Sequence, residues 1–150
     1  MNRNLKITII GQGYVGMPIS LLLAKKNYIV DCYDINKNLI KKLSSGTYGK
    51  NFENETEVID FYRSIYKKKN INFTNQLTKS DIYVICVPTP IKNNKRPDLS
   101  YVNSAVKKII PLLKDNDLII IESTIAIGSI NKLYNLINSK NKNLNFFLAY

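Results

Sequence analysis

Gly11-Gln12-Gly13-Tyr14-Val15-Gly16 follows directly on the apolar run Leu5-Lys6-Ile7-Thr8-Ile9-Ile10 and leads into a stretch of helical character. A glycine pattern of this spacing says little alone. Its value comes from the strand before it, the helix after it, and a second strand-like run at 29–33 that ends on an acid, Asp34. In that setting each glycine has its own reason. Gly11 permits the tight turn out of the strand, Gly13 lets the backbone approach a pyrophosphate, and Gly16 lets helix and sheet pack closely. Phosphates would rest on the N–H groups of a helix N-terminus, where the macrodipole favours negative charge. The stretch reads as a dinucleotide site with Gly11, Gly13 and Gly16 as cofactor-binding residues.

Asp34 stands 23 positions beyond Gly11, at the end of the second strand. A carboxylate there accepts hydrogen bonds from the adenosine ribose hydroxyls. It also repels the extra phosphate of NADP: two unit charges about 4 Å apart in an effective dielectric near 20 repel by roughly 4 kcal/mol before screening. NAD is the expected cofactor. The competing reading of Asp34 is a turn residue capping the next helix.

Working outward, short apolar runs alternate with helical patterns, the signature of βαβ units and a parallel sheet. Strands are expected at 5–10, 29–33, 71–74, 82–87, 118–122 and 144–149. The runs at 82–87 and 118–122 are almost wholly apolar, as strands covered on both faces should be. Val58, Phe61, Tyr62 and Ile65 have helical spacing, as do Val102, Ala105, Val106, Ile109 and Ile110, and later Ile130, Leu133, Tyr134 and Ile137. Asp98 or Ser100 is placed to cap the second of these helices and Pro111 to end it. The expected fold is α/β: a Rossmann-like, doubly wound parallel sheet of about six strands with helices on both faces. Two loops stand out: 44–53, with Gly46 and Gly49, and 88–99, with three prolines. Neither reads as a domain linker, so residues 1–150 are expected to be one domain.

Composition narrows the function. The formal charge of +11 raises nucleic acid as a partner, but the basic residues are nearly all Lys, with Arg only at positions 3, 63 and 96. Lys67-Lys68-Lys69 falls where a helix should end and complements its dipole. No nucleic-acid contact is expected, whereas a polyanionic nucleotide suits the charge. The first apolar run is too short to span a membrane, so no membrane association is expected. Cys32 and Cys86 lie in apolar runs without a C-x-x-C, which fits buried thiols and a cytoplasmic setting. There is no histidine, which excludes a histidine base and a histidine-based metal site; no metal is expected.

Ligands of parallel sheets bind beyond the carboxyl ends of the strands. The fourth strand ends in Val87-Pro88-Thr89-Pro90 and the fifth in Glu122-Ser123-Thr124. Thr89 and Thr124 therefore occupy matching positions on adjacent strand ends. Each alone would read as a loop or capping residue.

Gly11-Gln12-Gly13-Tyr14-Val15-Gly16-Met17-Pro18, Asp34, Val87-Pro88-Thr89-Pro90, Pro97-Asp98-Leu99-Ser100-Tyr101-Val102 and Glu122-Ser123-Thr124-Ile125 occur in this order. Together they resemble the N-terminal NAD-binding domain of the UDP-glucose/GDP-mannose dehydrogenase family. The long loop into Pro97-Asp98-Leu99-Ser100 is most similar to the UDP-N-acetylhexosamine branch, that of UDP-N-acetyl-mannosamine dehydrogenase. The resemblance implies an NAD-dependent oxidoreductase of polysaccharide biosynthesis. Such an enzyme oxidises the C6 hydroxyl of a nucleotide sugar to a carboxylate in two hydride transfers, through a cysteine thiohemiacetal and thioester. It implies backbone contacts from Tyr14 and Val15 to the pyrophosphate, and Asp34 on the ribose. Thr89 and Thr124 would lie at the nicotinamide end, Thr124 also positioning a catalytic water.

Two positions depart from the pattern. Leu39 replaces a basic residue, for which Lys37 is the expected substitute, and Ala126 replaces a proline. The resemblance also places the catalytic cysteine, the sugar-binding domain and the dimerisation helix of a homodimer beyond Tyr150. The 150 residues are thus expected to bind NAD but to turn over no nucleotide sugar. Rival readings are a stand-alone NAD-binding regulatory domain and a dehydrogenase of the hydroxyacid type.

Overall fold

Among the described residues each strand grows from one of the runs expected to form one. The computed structural model describes residues 5–47, 56–92 and 96–150. Among them the elements run β1 (Lys6–Ile10), α1 (Gly16–Lys25), β2 (Ile29–Tyr33), α2 (Lys37–Ser44), α3 (Thr56–Ile65), β3 (Ile71–Thr74) and β4 (Ile82–Ile85). Then come α4 (Ser100–Ile109), a short 3₁₀ turn (Ile110–Leu112), β5 (Leu118–Ile121), α5 (Ser129–Lys140) and β6 (Phe147–Ala149). The strands form one sheet in the order β3-β2-β1-β4-β5-β6, with every pairing parallel. This is the doubly wound order, and its switch point lies between β1 and β4, where the chain leaves the centre in opposite directions.

Alternation along the strands sorts side chains onto two faces. Ile7, Ile9, Val30, Cys32 and Val84 pack with Met17 and Leu21 of α1, Leu43 of α2, and Tyr62 and Ile65 of α3. Ile10, Tyr33, Tyr83, Ile85, Ile119 and Ile121 pack with Val102, Val106 and Ile109 of α4 and Leu133 and Ile137 of α5. Helices thus cover both faces. On the second face, however, no helix links β3 to β4, and residues 75–81 cross as an irregular connection. The strand residues beneath it are accordingly polar. Thr8 Oγ lies 2.7 Å from Ser80 Oγ, and Asp31 accepts a 2.9 Å bond from Thr78.

The strand ends differ from expectation in an informative way. β4 stops at Ile85 and β5 at Ile121, one or two residues short of the apolar runs. β6 begins at Phe147 because Asn145 is held instead by the loop after α4: its N–H donates to Asp115 and its carbonyl accepts from Asn116. Asn36 rather than Asp34 caps α2, accepting from the Leu39 N–H at 3.1 Å. Leu99 occupies the N-cap of α4; Asp98 accepts the Ser100 N–H from just outside the helix. Pro111 sits inside the 3₁₀ turn that closes α4. Lys67, Lys68 and Lys69 follow α3 and are exposed. Residues 48–53 of the first long loop and 93–95 of the second lie outside the described residues.

Candidate functional site

The turns beyond β1, β2, β4 and β5 enclose a cleft of about 780 Å³ at the carboxyl edge of the sheet. That volume falls within the usual range of small-molecule sites. Its walls include Gly11, Gly13, Tyr14, Val15, Asp34, Thr89 and Thr124, so seven of the residues singled out from the sequence meet in one place. Gly16 does not line the cleft. A Cβ there would stand 1.8 Å from the Gly11 carbonyl oxygen and 3.2 Å from Cys86 Cβ, so Gly16 is a packing residue behind the wall.

The other two glycines divide the work. Gly11 has φ +98°, and a Cβ on it would stand 2.7 Å from the Cys86 carbonyl oxygen, while its N–H donates to Tyr33 at 2.9 Å. The turn is thus wedged between the ends of β2 and β4, and only glycine fits. Gly13 is the opposite: a Cβ there would meet no atom of the chain within 4 Å. The space beside it opens into the cleft. α1 starts next to it without a side-chain cap, which leaves the dipole end of the helix facing the same space. Pro18 falls in the first helical turn, where its missing N–H costs no helix bond.

Asp34 is fixed by the glycine turn itself. One carboxylate oxygen accepts the Gln12 N–H at 2.8 Å and the other accepts the Asn36 N–H at 2.8 Å. A carboxylate offers about four acceptor sites, so acceptor capacity remains toward the cleft. Gln12 in turn is buried at 1% exposure, donating to the Ile9 carbonyl at 3.0 Å and accepting from Ser20 at 3.2 Å. This residue ties β1, the turn and α1 together. Nothing in the glycine pattern points to it, since the second position of such a turn is unconstrained by the glycines around it.

At the far side, Ser123 and Thr124 separate. Ser123 is buried, and its hydroxyl donates to the carbonyls of Ile85 at 3.2 Å and Val87 at 2.7 Å, stitching the end of β5 to that of β4. Thr124 is exposed toward the cleft. Cys86 also lines the cleft, but burial and the nearby Glu122 charge push its thiol up to about 12. Burial pushes the Cys32 thiol up to about 12 as well. Neither is poised as a thiolate nucleophile at neutral pH.

Besides Gln12, the wall takes in Tyr101, Ser104 and Lys108 of α4. Their helical spacing is legible, but they lie on the edge of α4 beside the apolar face that Val102 and Val106 bury. Leu39 lines the cleft, and Lys37 is exposed outside its wall. Among the described residues there is no cluster of three or more groups able to hold a metal, and no helix long and apolar enough to cross a membrane.

Comparison with known proteins identifies the family. Residues 5–150 match the model of the UDP-glucose/GDP-mannose dehydrogenase family, NAD binding domain. A UDP-N-acetyl-D-mannosamine dehydrogenase of Methanococcus aeolicus is 40% identical over 148 residues, covering 97% of this chain and 33% of that protein. Its counterpart from Methanococcus maripaludis is 37% identical over 139 residues, covering 90% and 32%. The solved UDP-D-ManNAc dehydrogenase of Pyrococcus horikoshii superposes with a TM-score of 0.87 at 29% identity, over 96% of this chain and 35% of the other. The chain spans about a third of the length of these relatives. With the matched model running from β1 to the last residue, the chain belongs to the UDP-glucose/GDP-mannose dehydrogenase family, as its NAD-binding domain.

Proposed function

We propose that this domain serves an NAD-dependent dehydrogenase that oxidises the C6 hydroxyl of a UDP-N-acetylhexosamine to a carboxylate. The enzyme would be a cytoplasmic homodimer supplying sugar acids for polysaccharide assembly. The observation that carries the cofactor reading is the 2.8 Å bond from the Gln12 N–H to Asp34. It makes the ribose acceptor and the phosphate turn one rigid unit. The space beside Gly13 and the uncapped start of α1 suit a diphosphate. The names of the relatives support the substrate class.

In this reading the backbone of Gly11, Gly13, Tyr14 and Val15 cradles the diphosphate, with Gly16 supporting the turn from behind. Asp34 accepts from the adenosine ribose. Thr89 and Thr124 orient the nicotinamide end, held in register because Ser123 locks β5 to β4. When bound, NAD supplies the hydride acceptor for each oxidation. Thr124, exposed at the mouth, holds a water by its hydroxyl. The raised thiols of Cys32 and Cys86 suit neither residue to the nucleophile's role. The domain therefore binds and orients, while covalent chemistry on the sugar falls to residues outside it.

Titration calorimetry of the chain with NAD and with NADP, beside an Asp34→Ala variant, tests the reading. NAD should bind and NADP should not, and the variant should lose roughly tenfold or more in NAD affinity, the scale of a hydrogen bond to a charged group. A folded chain that ignores NAD would sink it.

A further inference from the structure

The cleft carries an electrostatic imbalance. Asp34 and Glu122 are its acids, and among the described residues on its wall Lys108 is the only base. A dinucleotide brings two more negative charges. Resting on the NAD reading above, we infer that Lys108 is a cofactor-binding residue of the adenylate half, and that it sets nucleotide choice in opposition to Asp34.

Its placement is built. Helical periodicity puts Tyr101, Ser104, Ala105 and Lys108 along one edge of α4, and that edge lines the cleft, while Val102, Val106 and Ile109 enter the core. The Lys108 ammonium donates to the Tyr33 hydroxyl at 3.1 Å and lies 5.8 Å from the centre of the same ring. Tyr33 is 5% exposed and is the last residue of β2, immediately before Asp34. A long, flexible cation is thus moored on the buried ring of the residue that immediately precedes Asp34. Among the described residues it has no carboxylate partner, so its charge is available to a ligand.

Lys107 provides the contrast. Both lysines fall in the last turn of α4, where each complements the helix dipole. Only Lys108 reaches the cleft. A role in helix stability would make the two equivalent, whereas a role in binding makes them differ.

The consequence for selectivity is specific. Asp34 accepts from ribose hydroxyls and repels a 2′-phosphate, while Lys108 attracts one. With Asp34 in place the repulsion wins, because it acts at contact distance and Lys108 is partly solvated. With Asp34 removed, Lys108 is left as the cation beside the ribose.

Calorimetric titration of five proteins with NAD and NADP tests this: the parent, Lys107→Gln, Lys108→Gln, Asp34→Ala and the Asp34→Ala/Lys108→Gln double variant. Circular dichroism confirms that each is folded. Lys108→Gln should weaken NAD about three- to tenfold and flatten the salt dependence, the scale of one partly exposed charge interaction. Lys107→Gln should leave both unchanged. Asp34→Ala should gain measurable NADP binding, and the double variant should lose that gain. Equal behaviour of the two lysine variants, with the parent still binding NAD, overturns the inference and leaves the NAD reading intact. A folded parent that binds neither nucleotide overturns both. Should Lys108→Gln fail to fold, Lys108→Met replaces it: weakened NAD binding with a flattened salt dependence supports the role, and parent-like behaviour in both overturns it.

Discussion

Beneath the connection of residues 75–81, Asp31 accepts bonds from Lys6, Asn72 and Thr78, at 2.8, 3.0 and 2.9 Å. At the carboxyl end of the same strand, Asp34 accepts two backbone N–H groups and faces an open cleft. Only two residues separate the carboxylates. The first belongs to a closed network that continues from the Lys6 N–H to Asp81, from Asp81 to Lys114, and from Lys114 to Asp117. Among the described residues no buried side-chain polar atom lacks a partner, as interiors require. The comparison shows what separates polar groups that hold a fold from polar groups that hold a ligand. The structural ones are saturated by side chains from distant strands. The binding ones are positioned by backbone and left with capacity to spare.

Gly16→Ala should produce the largest disruption. Its new Cβ would collide with the Gly11 carbonyl, which is backbone and has no rotamer to turn away. We expect a loss of about 3 kcal/mol or more, at the top of the range for overpacking, seen as a lowered urea midpoint. A midpoint within error of the parent would contradict the packing role assigned to that glycine.

Asp31→Ala should follow, at about 2 to 3 kcal/mol. It removes the carboxylate partner of the Lys6 ammonium, yet Lys6 still donates to Thr78 and keeps 30% of its side-chain surface in water, so the cost falls below that of a fully buried pair. The same group sets the acid limit. Burial alone would raise the Asp31 carboxyl, but bonds from Lys6, Asn72 and Thr78 outweigh it and hold it below the usual range. Asp81 is lowered by the Lys114 ammonium and the Lys6 N–H. Carboxyls lowered in the folded state contribute stability that is complete above their unfolded value of about 3.9 and is lost as pH falls through the folded values. Melting temperature should therefore drop steeply below about pH 4, and the slope should flatten in Asp31→Ala. Lys114 acts at the other limit: its bonds to Asp117 and Asp81 raise it, so its contribution is full at neutral pH and fades only as pH rises through its folded value.

Gly13→Ala should change stability least, within about 0.5 kcal/mol, because its Cβ enters open space. Its effect belongs to binding, where it should weaken NAD by roughly tenfold or more by intruding where the diphosphate sits. Comparable melting of Gly16→Ala and Gly13→Ala would erase the distinction between packing and ligand glycines.

Much of this was legible in the residues. The runs at 29–33 and 71–74 became strands with the expected limits because β-branched and aromatic residues there are bounded by turn formers. The chain order of motifs located the family. What escaped reading shares one cause: a side chain whose role depends on a partner far away in the chain. Gln12 is polar by composition and buried only because Ile9 and Ser20 complete it. Ser123 and Thr124 are chemically alike neighbours, and only the geometry of the strand end sends one inward and the other to the cleft. Lys108 looks like any helix-end lysine until Tyr33 is placed beside it. Thr8 and Asp31 look misplaced in apolar strands until the connection that replaces a crossover helix lies over them.

The turn after β1 owes its shape to neighbours on both sides: the Tyr33 carbonyl on one and the Cys86 carbonyl on the other. Its own sequence closes too few local contacts to define it. β1, the first strand among the described residues, is central in the sheet and must wait for β4 before its second edge is paired. Such long-range closure is entropically costly and comes late in folding. Recognition and architecture are therefore acquired in one event: a nascent chain lacking β4 has the glycines but not yet the turn they encode.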